Sequence, residues 1–375
     1  MLYKDFRRYS TKKIQPYFQC SQQKYLIVKK QITLQKFREY NDRRSANRCK
    51  RDATHSSRLA RRTRSINRKR KQIEKRVTVT APDHFSFINN PDAVCEFVNE
   101  LEKLFERQTS VFVNLSNVTS MDHSAVILMM AVLVQFKSQK IHFNGNYPTK
   151  SDLSRSIRKV VGTLYSKSFN KQDEYTIHVS KEYKIYTHAR KTVDSVLTGN
   201  LIGSCAELIW GDRRRCQGVQ SSLIELMHNT NNHADPIEHG KKHWWLSISY
   251  DENTNSASYV FVDFGIGIIE SLNSKPAGNK WSAGWKALKS LWNSDAALLE
   301  KILAGDLHKT VTGLSFRGKG LPHIAAASDR NHHEKLCVIS NKAYCNYGSG
   351  VVKVLDRSFS GTLVHWEVNY DNHNC

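Results

Sequence analysis

Four short segments in the last 175 residues carry the side chains best suited to chemistry. The first, ELMHNTNNHAD at 225–235, spaces Glu225, Asn229 and His233 by four, which puts them on one face of a helix. A carboxylate one turn from a carboxamide serves water and a divalent cation together. The amide oxygen is a hard ligand for Mg²⁺, and the carboxylate accepts a proton from an attacking water. The second, Asp263-Phe-Gly265-Ile-Gly267, follows directly on the apolar run ASYVFV. A carboxylate at a strand end accepts a hydrogen bond from an exocyclic amine such as that of adenine, and the glycines let the backbone approach a flat base. The third, Arg317-Gly318-Lys319-Gly320, precedes a helical stretch. Backbone N–H groups at a helix start hold phosphates, with Lys319 as a point charge. The fourth is Gly361-Thr362, opening a final apolar strand.

Taken singly these segments are ordinary: D-x-G-x-G is a common turn, and Glu225/Asn229 is compatible with a solvated helix face. Together and in this order they resemble the ATP-binding domain shared by gyrase, the ninety-kilodalton heat-shock chaperones, histidine kinases and MutL proteins, the GHKL superfamily. ELMHNTNNHAD looks like its N box, DFGIG like its first glycine box and RGKG like its second. GTLVHWEV looks like its closing strand. The resemblance spans about 201–370 and implies a Bergerat-type α/β sandwich that binds ATP and Mg²⁺. It implies Glu225 as general base, Asn229 as Mg²⁺ ligand, and Asp263 as the adenine contact with Thr362 behind it. Gly265 and Gly267 would shape the base pocket, and Gly318, Lys319 and Gly320 would meet the phosphates. Residues 268–317 would be the ATP lid, through which relatives often dimerise. The lid is long, and RGKG is shorter than the usual G-x-G-x-G.

The elements that must position these groups follow from hydrophobic periodicity. Residues 77–144 alternate as strand, helix, strand, helix, strand: VTVTA, then 91–107 with Val94, Phe97, Val98, Leu101, Leu104 and Phe105 on one face, SVFVNLS, Ser124 to about Lys137, and KIHFNG. That alternation predicts a small α/β unit, and Asn90-Pro91 suits a helix start. The segment VFVNLSNVTSMDHSAVILMMAVL resembles the core of STAS domains, with Asp122 at the matching Asp. His123 stands where that family carries its phosphorylated serine, and Ser124 follows. A generic α/β packing unit is the alternative. Residues 146–200 are less readable: 151–160 looks helical and 175–186 strand-like. A helical pair is expected over 201–235, strands at 243–250 and 257–262, a helical piece at 285–303, and four closing strands. The expected domains are 1–76, 77–165, a connector at 166–200, and 201–375.

Charge is distributed unevenly. The 375 residues carry net +23, yet residues 1–76 hold 25 Lys and Arg against 5 Asp and Glu, while the other 299 carry 32 against 29. A uniformly basic protein is therefore excluded. Within 41–76, Leu59, Ile66 and Ile73 recur every seven residues among Arg58, Arg61, Arg62, Arg64, Arg68, Lys69, Arg70 and Lys71. That pattern suits a basic helix with a thin apolar stripe, or else a solvated basic arm. Such a segment binds nucleic acid through counterion release. Tyr3, Phe6, Tyr9, Tyr17, Phe18, Tyr25, Phe37 and Tyr40 add stacking surfaces suited to unpaired bases. A membrane-lying helix needs a broader apolar face, and the longest apolar run, Ala125 to Val134, is far short of a span of ~20 residues. The opening residues lack a secretory apolar stretch, and eight cysteines without a CxxC pair signal neither a zinc site nor a disulfide framework. A cytoplasmic protein is expected. The leading functional expectation is a slow Mg²⁺-dependent ATPase that couples ATP-driven change of shape or homodimerisation to nucleic-acid binding. The alternatives are an anti-sigma-factor-type protein kinase with a fused STAS-like unit, and a non-hydrolysing nucleotide-dependent binding module.

Overall fold

The computed structural model describes residues 76–164, 175–179, 185–190, 192–233, 244–274, 285, 289–292, 294–306, 320–373 and 375. Gln72–Cys375 forms one compact unit. The eight arm cations named above, half of the expected lid, Gly318 and Lys319 lie outside the described residues.

The first elements are β1 (Val77–Thr80), β2 (His84–Phe85), α1 (Pro91–Glu106), β3 (Val111–Asn114), β4 (Ser120–Met121), α2 (His123–Ser138), β5 (Phe143–Gly145) and α3 (Ser151–Leu164). β1, β3 and β5 form a parallel sheet in that order. Parallel connections running one way across a sheet are right-handed, so α1 and α2 fall on the same face. α1 has Pro91 in its first turn and buries all six residues expected on its apolar face. α2 is buried on every side from Ser124 to Phe136. That explains the longest apolar run: α2 is a helix enclosed between two sheets, as an all-round hydrophobic helix must be.

The second sheet has six strands. Added to β6 (Tyr175–Val179) and β7 (Ile185–Arg190) are β8 (Trp244–Asp251), β9 (Ser256–Asp263), β10 (Glu334–Asn346) and β11 (Val351–Asn369). Their order is β10-β11-β9-β8-β7-β6, and every neighbouring pair is antiparallel. The sequence reading assigns β6 and β7 to a connector; they pair instead into the edge of this sheet. The four expected closing strands are two long ones, joined by a turn in which Gly348 and Gly350 adopt positive φ.

Helices α4 (Ser195–Trp210), α5 (Gln217–His233), α6 (Ile268–Asn273), α7 (Asp295–Leu303) and α8 (Gly320–Asp329) complete the fold. The start of α4 precedes the expected domain boundary at 201. Strand periodicity divides the side chains of the large sheet. Trp244, Leu246, Ile248, Tyr259, Phe261, Val364 and Trp366 pack into the core formed with α4, α5, α7 and α8. Trp245, Val260, Val262 and Leu363 pack into the core shared with α1 and α2. The layers are therefore helices, large sheet, helices, small sheet, and β8, β9 and the second half of β11 are largely buried on both faces. Cys216 and Cys375 form a disulfide across 159 residues, tying the final residue to the start of α5. No local spacing rule points to that pair.

His333 sits in this core, stacked on Trp366 with ring centroids 5.2 Å apart. Neither of its ring nitrogens has a hydrogen-bond partner among the described residues. Burial, aided by neighbouring His332, pushes its pKa down to about 3. An unfolded histidine titrates near ~6.5, so the folded state disfavours the proton. The stability contribution is fully present above about 6.5 and is lost as pH falls toward about 3, at about 1.4 kcal/mol per pH unit within that window. His333→Phe, which keeps a flat ring on Trp366, is expected to flatten that part of the stability profile. Urea denaturation at pH 7 and pH 4.5 checks it: a parent-like loss between the two pH values in the variant would assign the proton to another group.

Candidate functional site

α5 carries Glu225 and Asn229 on one half-buried face, as their spacing by four requires, while His228 between them is exposed. His233 is the last residue of the helix. α8 packs along α5, with His323 Nε2 3.0 Å from Ser221 Oγ. This brings the start of α8 against the expected catalytic pair. A Cβ built on Gly320 would lie 3.0 Å from both Asn229 Nδ2 and Glu225 Oε2. Any larger residue at 320 would press on the two polar tips. Neither the Glu225 carboxylate nor the Asn229 side-chain amide has a hydrogen-bond partner among the described residues.

Asp263 ends β9, in register with Thr362 on β11 and Trp244 on β8. Its side chain is half-buried and closely surrounded by protein. Desolvation pushes the carboxyl up to about 7, opposed by hydrogen bonds from the Thr362 backbone and the Thr230 side chain. Thr230 is the residue after Asn229, and its Oγ1 lies 3.4 Å from Asp263 Oδ2. That contact joins the helix bearing Glu225 and Asn229 to the strand bearing Asp263. Thr362 supports Asp263 through its backbone; its hydroxyl lies 3.3 Å from Ser340 Oγ.

The turn after Asp263 holds Gly265, half-buried, and Gly267, whose φ of +79° caps α6. Gly361 adopts φ +150°, and a Cβ there would fall 2.1 Å from the Asp263 carbonyl oxygen. Only glycine allows the two backbones to approach this closely. The segments around 225, 263, 320 and 361 are thus neighbours; Gly318 and Lys319 lie outside the described residues.

Sequence reasoning missed three side chains at this site: Thr230, Ser340 and Asn341. Thr230 was within reach, since it adjoins Asn229 and points one helical step away. Ser340 and Asn341 carry no local signal; the pairing of β10 with β11 brings them in. In the small unit, Asp122 caps α2, accepting from the backbone of Ser124 and Ala125 and from the hydroxyls of Ser86 and Ser124. Its carboxylate is fully engaged as a helix cap. His123 beside it is desolvated, which lowers its pKa against the opposing charge of Asp122.

No family model matches the chain, and no curated protein matches it in sequence. Among the described residues no helix is long and apolar enough to cross a membrane. Among the same residues no group of three or more His, Cys, Asp and Glu side chains could hold a metal.

Proposed function

We propose that this chain is an ATP-binding protein of the GHKL type, a slow Mg²⁺-dependent ATPase whose nucleotide-driven change of shape or homodimerisation is coupled to nucleic-acid binding by residues 1–76. The observation that carries this reading is the convergence of Glu225, Asn229 and Gly320 with Asp263, closed by the Thr230 contact. The residues present suit the ligand. Asp263 is a desolvated carboxyl group at a strand end, to which the amine of adenine would add a further donor. Glu225 and Asn229 are half-buried polar groups without protein partners among the described residues, beside a glycine that leaves them open. Bound Mg²⁺ would offset the phosphate charge, held here by Asn229, with its other ligands drawn from phosphate and water as this ion prefers. Glu225 would hold the attacking water and take its proton.

Incubating the full chain with γ-labelled ATP and Mg²⁺ tests the reading. Label released as free phosphate supports it. Label left on protein would favour the kinase alternative, and binding without turnover a nucleotide-dependent binding module. The nucleic-acid part has its own test. If a third of the 25 arm cations meet phosphates, log K should fall against log salt with a slope of roughly −6 to −7. Removing residues 1–71 leaves Gln72–Cys375 whole with a net charge of +4, so the slope should become shallow while ATP binding persists. Tight DNA and RNA binding by the truncated chain at physiological salt would refute the coupling, as would binding by the full chain to anionic vesicles but to neither nucleic acid.

A further inference from the structure

α6 begins at Gly267 without a side-chain cap from its own segment, so its first N–H groups need acceptors from elsewhere. β10 supplies them. Ile268 N donates to Ser340 Oγ at 2.8 Å, and Ile269 N and Glu270 N donate to Asn341 Oδ1 at 3.0 and 3.3 Å. The same two residues also hold the chain on either side of the turn. The Asn341 amide donates to Ile266 O at 2.8 Å, and the Ser340 hydroxyl donates to Gly361 O at 2.8 Å. Both side chains are buried.

The backbone is shaped to allow this. The β10–β11 register shifts between Ser340 and Asn341, and Asn341 itself takes φ +54°. An asparagine tolerates that left-handed conformation better than most residues. A Cβ on Gly267 would sit 2.5 Å from Asn341 Oδ1, so the glycine leaves the asparagine room to reach the helix start. One side-chain pair thereby ties the turn after Asp263 to the Gly361 backbone that meets Asp263 from the other side.

We propose that Ser340 and Asn341 are positioning residues for nucleotide recognition: they set where the Asp263–Gly267 turn stands relative to the base. The proposal rests on the nucleotide-binding reading above. Losing the Asn341 side chain frees three hydrogen bonds around the turn at once, and the turn should no longer present Asp263 and its glycines in one arrangement. Affinity should fall, and so should discrimination between adenine, which offers an amine to Asp263, and guanine, which offers a carbonyl at that place. A role confined to stability would lower the melting temperature without changing that ratio.

The test is calorimetric titration of the full chain with ATP·Mg²⁺ and GTP·Mg²⁺, well below the melting temperature, for the parent, Asn341→Ala, Asn341→Asp, Ser340→Ala and Asp263→Asn. Asn341→Ala is expected to weaken ATP binding at least tenfold and to narrow the ATP-over-GTP preference. Asn341→Asp, which retains the acceptor for Ile269 and Glu270, should recover part of both. If Asn341→Ala fails to fold, Ser340→Ala carries the expectation, with a loss of about threefold or more. Parent-like affinity and preference in the folded variants, with Asp263→Asn still impaired, would overturn this proposal alone. A parent chain that binds no ATP, or an Asp263→Asn chain that binds it as the parent does, would overturn the nucleotide reading and this proposal with it.

Discussion

Replacing Glu225 with alanine is expected to leave ATP binding intact and to slow hydrolysis by roughly 10²–10⁴, the contribution of a positioned general base. The expectation comes from where Glu225 stands. It lies on the half-buried face of α5, one turn before Asn229, with its Oε2 beside the start of α8. In the proposed reading base recognition falls to Asp263 on a different element and metal binding to Asn229, so neither contact depends on the lost carboxylate. The helix itself should persist, because alanine favours it and Leu223, Leu226 and Met227 remain buried against the sheet. Phosphate release at saturating ATP, read beside the dissociation constant, decides the matter. Glu225→Gln, which keeps the shape and removes the base, should be equally slow. Hydrolysis at the parent rate in both variants would move the role to another group, and exposed His228 would be examined next.

Asp263→Asn is expected to do two opposite things: weaken ATP binding at least tenfold and make the folded chain more stable at pH 8. The first follows from losing a charged acceptor for the adenine amine, a hydrogen bond of ~1.5–3 kcal/mol. The second follows from the raised pKa. The folded carboxyl titrates at about 7, against an ordinary value of 3.8, so the folded state prefers the protonated form. Stability from this group is fully present below about 3.8 and is lost as pH rises through about 7. Above pH 7 the ionised carboxylate therefore stands at a cost of about 2–4 kcal/mol, which a neutral amide does not incur. Denaturant titrations at pH 8 and pH 4 should show a gain for the variant at the higher pH and little at the lower. A destabilised variant at pH 8 would mean that the hydrogen bonds from Thr362 and Thr230 outweigh desolvation.

Much of the framework was legible because it is local. The six apolar residues of α1, the short parallel strands and the four-residue spacing of Glu225 and Asn229 all follow from periods of 3.6 and 2, which need no knowledge of distant partners. The C-terminal strands were legible as strands but not as a count. KLCVIS and AYCNYG read as two because their pattern breaks near Ser340 and Asn341, where β10 shifts register instead of ending. β6 and β7 were missed as parts of the sheet because β7 joins it through β8, which lies more than fifty residues further on.

Residue order alone establishes which side chains are available for chemistry and on which helix face or strand end they stand, and it concentrates the cations in the first 76 residues. These are properties of composition and of short-range geometry. Long-range packing, by contrast, encloses α2 between two sheets, sets Gly320 against Glu225 and Asn229, and brings Thr230 to Asp263. It also places Ser340 and Asn341 where they hold the turn following Asp263. The same holds for the Asp263 carboxyl, whose pKa rises because surrounding elements displace water from it. Each of these depends on strand register and layer packing. A one-residue slip in register would turn the side chains to the opposite face, and no local pattern encodes a contact made across 72 residues.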